Sequence, residues 1–357
     1  MFRLLLCLSL LIPALAQAIS PTSLNTINPN TCQRIATGPG PDDLTRQPLP
    51  TPRVIFSSHD RRNFRSHGNI YALEIQSDKP ERLSRQQEPE GFVLRPHGLD
   101  LVQRDGRWWL YVINHDRDLF SDRHALAVYE LVGNTLIFQE LLSSPLLSSP
   151  NDVAVADNGD IYVTNEREDG SSIAEMLFLQ RKANVVVYRP QIGWRIAADD
   201  FAFANGILIQ GNTVWVTQSL GEGVRRYQRA ADGRLVQRES LGNLSLLDSI
   251  QVTESGYFLI PAYPSLANFL LHWQSPSRRS PAKVYAVDPQ TGKGSIIFAD
   301  DGRVMSAIST ALPVKNQVFF GQVFDAFILR LLGHGGTPCT HRLVATWRCE
   351  TGSASTT

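Results

Sequence analysis

Residues 150–165 read PNDVAVADNGDIYVTN. The stretch opens on a polar pair, Asn151-Asp152, and continues as Val153-Ala154-Val155. Asp157-Asn158-Gly159 makes a turn, and Ile161-Tyr162-Val163 returns to Thr164-Asn165. Apolar runs with a period of two around an Asn-Gly turn predict two antiparallel strands.

The same plan recurs outward from this stretch. Units open at Pro96-His97-Gly98, at Ala204-Asn205-Gly206, at Asp248-Ser249 and at Ser306-Ala307. Each runs into an apolar strand and on to a second, such as Trp109 to His115, Thr213 to Thr217, Tyr257 to Ile260 and Gln317 to Gly321. The starts at His97, Asn151, Asn205, Asp248 and Ser306 lie 54, 54, 43 and 58 residues apart. An N-terminal unit with strands at 52–58 and 69–73 precedes them. About four short strands per unit at this spacing is the pattern of propeller blades, and the N-terminal unit brings the number to six. The expected fold class is all-β, a six-bladed β-propeller around a central channel. A helix is expected at Ser172 to Lys182, over one face, because Ile173, Met176, Leu177 and Phe178 cluster on one side. Strands in such excess exclude a doubly wound α/β fold.

The ends read differently from the middle. Arg3, an apolar run from Leu4 to Leu15 and Ala16-Gln17-Ala18 read as a signal peptide over 1–18. The run is shorter than the ~20 residues that span a bilayer. A secreted or periplasmic protein with no membrane span is therefore expected. The propeller is assigned to 19–331 and a partly disordered tail to 332–357. Cys7 leaves with the signal, and an oxidising compartment permits one disulfide among Cys32, Cys339 and Cys349. Lys and Arg number 34 and Asp and Glu number 34. That balance gives no reason to expect nucleic acid as a partner.

In a propeller the first strand of each blade lines the channel, and equivalent positions converge at one mouth. Here those positions carry His97, Asn151-Asp152, Asn205, Asp248-Ser249 and Ser306, joined by Asp42 and Asp43 ahead of the first blade. Most are oxygen donors. Carboxylates and amides form a hard-ligand set suited to Ca²⁺. The His and Cys spacing that zinc would need is absent.

With these residues in view, the chain resembles the calcium-dependent paraoxonase/arylesterase lactonases. The resemblance is carried by Pro96-His97-Gly98, Val112-Ile113-Asn114-His115, Asn151-Asp152, Phe203-Ala204-Asn205-Gly206-Ile207 and Leu247-Asp248. It extends from about Cys32 to Leu331. It implies two calcium ions stacked in the channel. A catalytic ion would be held by Asp42, Asn151, Asn205, Asp248 and Ser249, and a structural ion by Asp43, Asp152 and the backbone carbonyl of Leu99. His97 and His115 would be the family's histidine pair, and Cys32 its N-terminal bridging cysteine. The chain departs from the family pattern in four places. Asp42 replaces a Glu, Ser249 replaces an Asn, Tyr263 falls near a pocket histidine, and the strand Phe324 to Leu331 lacks the partner cysteine.

The activity this implies is hydrolysis of lactones and aryl esters, small-molecule substrates, with His97 as the base for water and His115 orienting it or relaying its proton. No Gly-x-Ser-x-Gly elbow offers a serine route. Phe201, Phe203, Tyr263, Phe269, Trp273 and Phe324 are candidate pocket walls, while His124 and Asp116 read as solvated loop groups bordering the pocket. The alternative is a non-catalytic, calcium-stabilised propeller that binds a ligand or protein.

Overall fold

The computed structural model describes residues 32–332 except 64, 118–121, 169–178 and 222. A first strand, β1 (Cys32–Ala36), does not pair with its neighbour in sequence. The first blade is β2 (Leu44–Gln47), β3 (Arg53–Ser58), β4 (Asn69–Glu74) and β5 (Glu81–Arg82). The second holds β6 (Ser84–Gln86), β7 (Pro96–Arg104), β8 (Arg107–Arg117), β9 (Asp122–Val132) and β10 (Thr135–Ser143). The third is β11 (Pro150–Val155), β12 (Ile161–Asn165), β13 (Ala183–Arg189) and β14 (Gly193–Phe201). The fourth is β15 (Ala204–Gln210), β16 (Thr213–Gln218), β17 (Val224–Arg229) and β18 (Leu235–Leu241). The fifth is β19 (Gln251–Val252), β20 (Phe258–Ala262), β21 (Ala282–Val287) and β22 (Gly294–Asp300). The sixth is β23 (Ile308–Val314), β24 (Gln317–Gln322) and β25 (Phe327–Leu332), completed by β1.

The chain is thus a six-bladed β-propeller, as its repeat spacing predicts. β1 pairs antiparallel with β25, Cys32 opposite Leu331 and Ala36 opposite Phe327, so the N-terminal strand closes the ring. β1 is thereby the outermost strand of the sixth blade, and the blades keep only the short, protected edges that radial repetition allows. The core is divided among the six joints. Each joint packs its own cluster, such as Leu44, Phe56, Leu312 and Phe319 between the first and sixth blades. Tyr162, Val185, Phe201 and Val216 fill the joint between the third and fourth. Strands buried on both faces read as continuous apolar runs, which accounts for the run Val185-Val186-Val187.

Residues 172–178 of the expected helix lie outside the described residues, and 179–182 are not helical. The one helix among the described residues is α1 (Leu266–Gln274). Ser265 caps it, its side chain accepting the Asn268 N–H. α1 sits over a small apolar cluster at the channel mouth, where Tyr263, Phe269 and Phe324 meet. Phe269 and Trp273, two of the expected pocket aromatics, therefore belong to this helix, while Phe201 is fully buried in a joint. No helix of the described residues is long and apolar enough to cross a membrane. The expected signal, Cys339, Cys349 and the tail from 333 onward lie outside the described residues.

Candidate active site

The site is built by a repeated irregularity in the inner strands. The register of β7 against β8 shifts between Pro96 and Leu99. That of β11 against β12 shifts between Pro150 and Val153, and that of β15 against β16 between Ala204 and Ile207. In the fifth blade Leu247 bridges Ala262 and the ladder resumes only at Gln251. A bulge re-aims side chains that a regular ladder would point into the joints. His97-Gly98, Asn151-Asp152, Asn205-Gly206 and Asp248-Ser249 all occupy such interruptions. The glycines answer a packing demand. A Cβ on Gly98 would lie 2.3 Å from the Asn151 carbonyl oxygen, and one on Gly206 would lie 2.6 Å from Ser249 Cα.

Asp42, Asp43, His97, Asn151, Asp152, Asp248 and Ser249 line a single cavity at this mouth. Ser309 and Thr310 complete its sixth side. Ser306, expected there from sequence, is elsewhere. Its hydroxyl donates to the Gly302 carbonyl and accepts the Ser280 N–H, holding a loop. The inner strand starts at Ile308, so the channel position falls three residues further on. Asn205 is not among the lining residues, and its Nδ2 donates to Ser219 Oγ at 3.0 Å. Leu99 contributes its N–H to Asp43 Oδ2 at 2.8 Å.

The carboxylates fall into two kinds. Asp43 and Asp152 act as straps between blades. Asp43 accepts N–H groups of Leu44 and Leu99, and Asp152 accepts those of Val153 and Ile207. Asp42 and Asp248 are held by side chains. Asp42 Oδ2 lies 2.8 Å from Arg61 Nη2 and 3.1 Å from His97 Nε2. Asp248 Oδ2 accepts the Tyr263 hydroxyl. Sequence reasoning passed over Arg61, which comes from the loop after β3, and Glu166, whose Oε1 accepts Asn151 Nδ2 at 2.6 Å. A basic pair inside a polar loop and a Glu just past a strand end carry no pattern that would flag them.

Burial pushes Asp43 up to about 7, and the Asp42 charge adds to the rise. Burial and then Asp43 raise Asp152 well above the usual carboxylate range, and burial and then Asp42 raise Asp248. Burial would raise Asp42 too, but Arg61 and His97 outweigh it and hold its carboxyl well below that range. Burial and Arg61 together depress His97.

His97 Nδ1 lies 2.8 Å from His115 Nε2, joining the two predicted histidines. His124 is not a solvated loop group. It is buried, and its Nδ1 lies 2.9 Å from His115 Nδ1.

Among the described residues no group of three or more His, Cys, Asp or Glu side chains is arranged to hold an ion on its own. The donor set is mixed, and it fits a hard cation. Four carboxylates crowd the channel, and three of them are driven toward protonation by burial and by one another. Asn205 Oδ1 and Ser249 Oγ are buried without a hydrogen-bond partner. Oxygen atoms in that state are what Ca²⁺ coordinates.

The fold is shared with solved structures. One, described as a putative gluconolactonase, superposes with a TM-score of 0.55 at 14% identity, covering 84% of this chain and 91% of its own. Sequence places the chain more closely. The family model described as Arylesterase matches residues 62–331, and the chain belongs to the arylesterase family. Serum paraoxonase/arylesterase 1 of Rattus norvegicus is 25% identical over 237 residues, 64% of this chain and 66% of that protein. Serum paraoxonase/lactonase 3 of Homo sapiens is 22% identical over 268 residues, 72% of this chain and 75% of that protein.

Proposed function

We propose that this chain is an exported, calcium-dependent hydrolase of lactones and aryl esters. The observation that carries the reading is His97, backed by His115 at 2.8 Å, on the wall of a cavity of buried oxygen side chains. Family membership supports the reaction class, and the serum relatives support export together with the apolar N-terminal segment.

Asp42, Asn151, Asn205, Asp248 and Ser249 would hold one calcium ion, and Asp43, Asp152 and the Leu99 carbonyl a second. Bound calcium supplies Lewis acidity toward a carbonyl and charge stabilisation for the oxyanion. His97 would take the proton from the attacking water through Nε2, the nitrogen on the Asp42 side of the ring. A depressed imidazole stays neutral near pH 7, as a base must. His115 holds the His97 ring through Nδ1. Arg61 counters the Asp42 charge, and Tyr263, near which the resemblance expects a pocket histidine, donates its hydroxyl to the Asp248 carboxylate. Cys32 opens the closing strand, so a bridge from it to Cys339 or Cys349 would lock the ring.

Phenyl acetate and aliphatic lactones, assayed with Ca²⁺ and with chelator, test this reading. Activity should require calcium and fall about 10²–10⁴-fold in His97→Gln, the range general-base catalysis supplies. A second reading is a non-catalytic propeller stabilised by calcium. The strap bonds of Asp43 and Asp152 favour it, since they join one blade to the next. A chelator-sensitive melting temperature with no hydrolysis of any ester or lactone would select it.

A further inference from the structure

β8 and β9 pair with His115 directly opposite His124, which sets the two rings side by side on one face of the sheet. They are 8% and 5% exposed. Their rings stand edge to face, centroids 4.8 Å apart, with Nδ1 against Nδ1. His115 thus has an imidazole at each of its nitrogens, His124 at Nδ1 and His97 at Nε2.

A neutral imidazole donates through one nitrogen and accepts through the other. Three rings in a row must therefore be ordered in one sense. In one order, His97 donates from Nδ1 to His115, His115 donates from Nδ1 to His124, and His97 Nε2 is left with a lone pair. In the other, His124 donates to His115, His115 donates to His97, and His97 Nε2 carries the proton. A base needs the first order. Asp42 pulls toward the second, because its Oδ2 lies 3.1 Å from His97 Nε2, although Arg61 occupies the same oxygen.

We propose that His124 is a positioning residue that sets the direction of this row. It accepts the His115 Nδ1–H at its own Nδ1 and so keeps His97 Nε2 free to take a proton. The kinetic consequence rests on the hydrolase reading, and the tautomers do not. A base oriented by a second group that is itself held by a third is a recurrent arrangement in catalysis. Here the third group is supplied by strand register, nine residues along a hairpin from its partner.

Ring ¹⁵N shifts of histidine-labelled protein, recorded with calcium present above the ring pKa values, read the tautomers. Phenyl acetate hydrolysis reads the consequence. The wild type should show His97 and His115 as Nδ1–H. His124→Leu removes the acceptor, so both should change to Nε2–H, and kcat should fall about 10²-fold with KM within about twofold. Asn places its Oδ1 near the site of His Nδ1. His124→Asn should therefore restore the Nδ1–H tautomers and bring kcat to within about fivefold of wild type. The proposal is overturned if His115 stays Nδ1–H in His124→Leu, or if a folded His124→Asn fails to rescue. Should the Leu variant not fold, the wild-type spectrum decides alone, because Nε2–H at His97 contradicts the proposed order. Predicted tautomers in a protein without ester hydrolysis would support the row and sink the hydrolase reading.

Discussion

Replacing Asp152 by Ala tests whether one carboxylate joins two blades and serves the site at once. Its Oδ1 accepts the Val153 N–H within the third blade, and its Oδ2 accepts the Ile207 N–H of the fourth, each at 2.8 Å. Alanine leaves two buried N–H groups without partners. Each such donor costs about 1–3 kcal/mol, so the gross loss is about 2–6 kcal/mol. Part of that is offset. The carboxylate removed is one that burial and Asp43 hold well above its usual pKa, and its removal relieves that repulsion. A net loss of about 2–3 kcal/mol is expected in chelator, read as a lower urea midpoint. Calcium should widen the gap, because the wild type gains RT ln(1 + [Ca]/Kd) and the variant has lost a ligand. Urea titrations of both proteins, with calcium and with chelator, separate the two contributions. Wild-type stability in both conditions would refute the reasoning altogether. An equal loss in both would leave Asp152 as a strap and refute its share in the metal site.

Three further outcomes rest on the same geometry. Asp43, Asp152 and Asp248 keep protons in the folded chain that the unfolded chain has released, so without calcium the stability they contribute should fall as pH rises from about 4 through the Asp43 value of about 7, while the depressed imidazoles of His59, His97 and His272 act in the opposite sense. Calcium should abolish that fall, and urea midpoints at about pH 5 and about pH 7.5 in each condition check it. Arg61→Gln should tighten calcium binding about tenfold or more, because a guanidinium 2.8 Å from Asp42 competes for the same carboxylate. Calorimetric titration reads the change, and unaltered affinity would show that Arg61 is not a competitor. Asp248→Ala and Asn205→Ala should each weaken calcium binding, and an unchanged titration for both would remove them from the ligand set.

The blade starts were legible because bulge and close approach leave marks in sequence. His97-Gly98 and Asn205-Gly206 pair a channel-facing side chain with the residue type that lets the next strand pass. Ring closure left no such mark. β1 meets β25 across nearly the whole chain, and neither strand carries a pattern naming the other. β2 reads Leu-Thr-Arg-Gln, too short and polar to stand out, yet it is the inner strand of its blade. α1 went unrecognised because its nine residues offer only about two and a half turns of periodicity, and its aromatics suggested a pocket wall. His124 was missed for a different reason. Its partner is fixed by the register of a hairpin, which sequence spacing alone does not give.

Asp100 provides the control that separates strap from ligand. Its Oδ2 accepts the Val155 N–H at 2.9 Å, joining the second blade to the third as Asp43 joins the first to the second and Asp152 the third to the fourth. Burial pushes it up to about 6, so it shares the electrostatic character of the ring. It does not line the cavity that Asp43 and Asp152 line. Asp100→Ala should therefore cost about 1–3 kcal/mol of stability for the orphaned N–H, as a strap must. Its effect on calcium should come through distance alone, weakening binding less than about tenfold. Asp152→Ala should weaken binding about a hundredfold or more, since it deletes a coordinating charge. Equal losses of affinity in the two variants would mean that the negative potential of the channel, not ligation by Asp152, holds the ion.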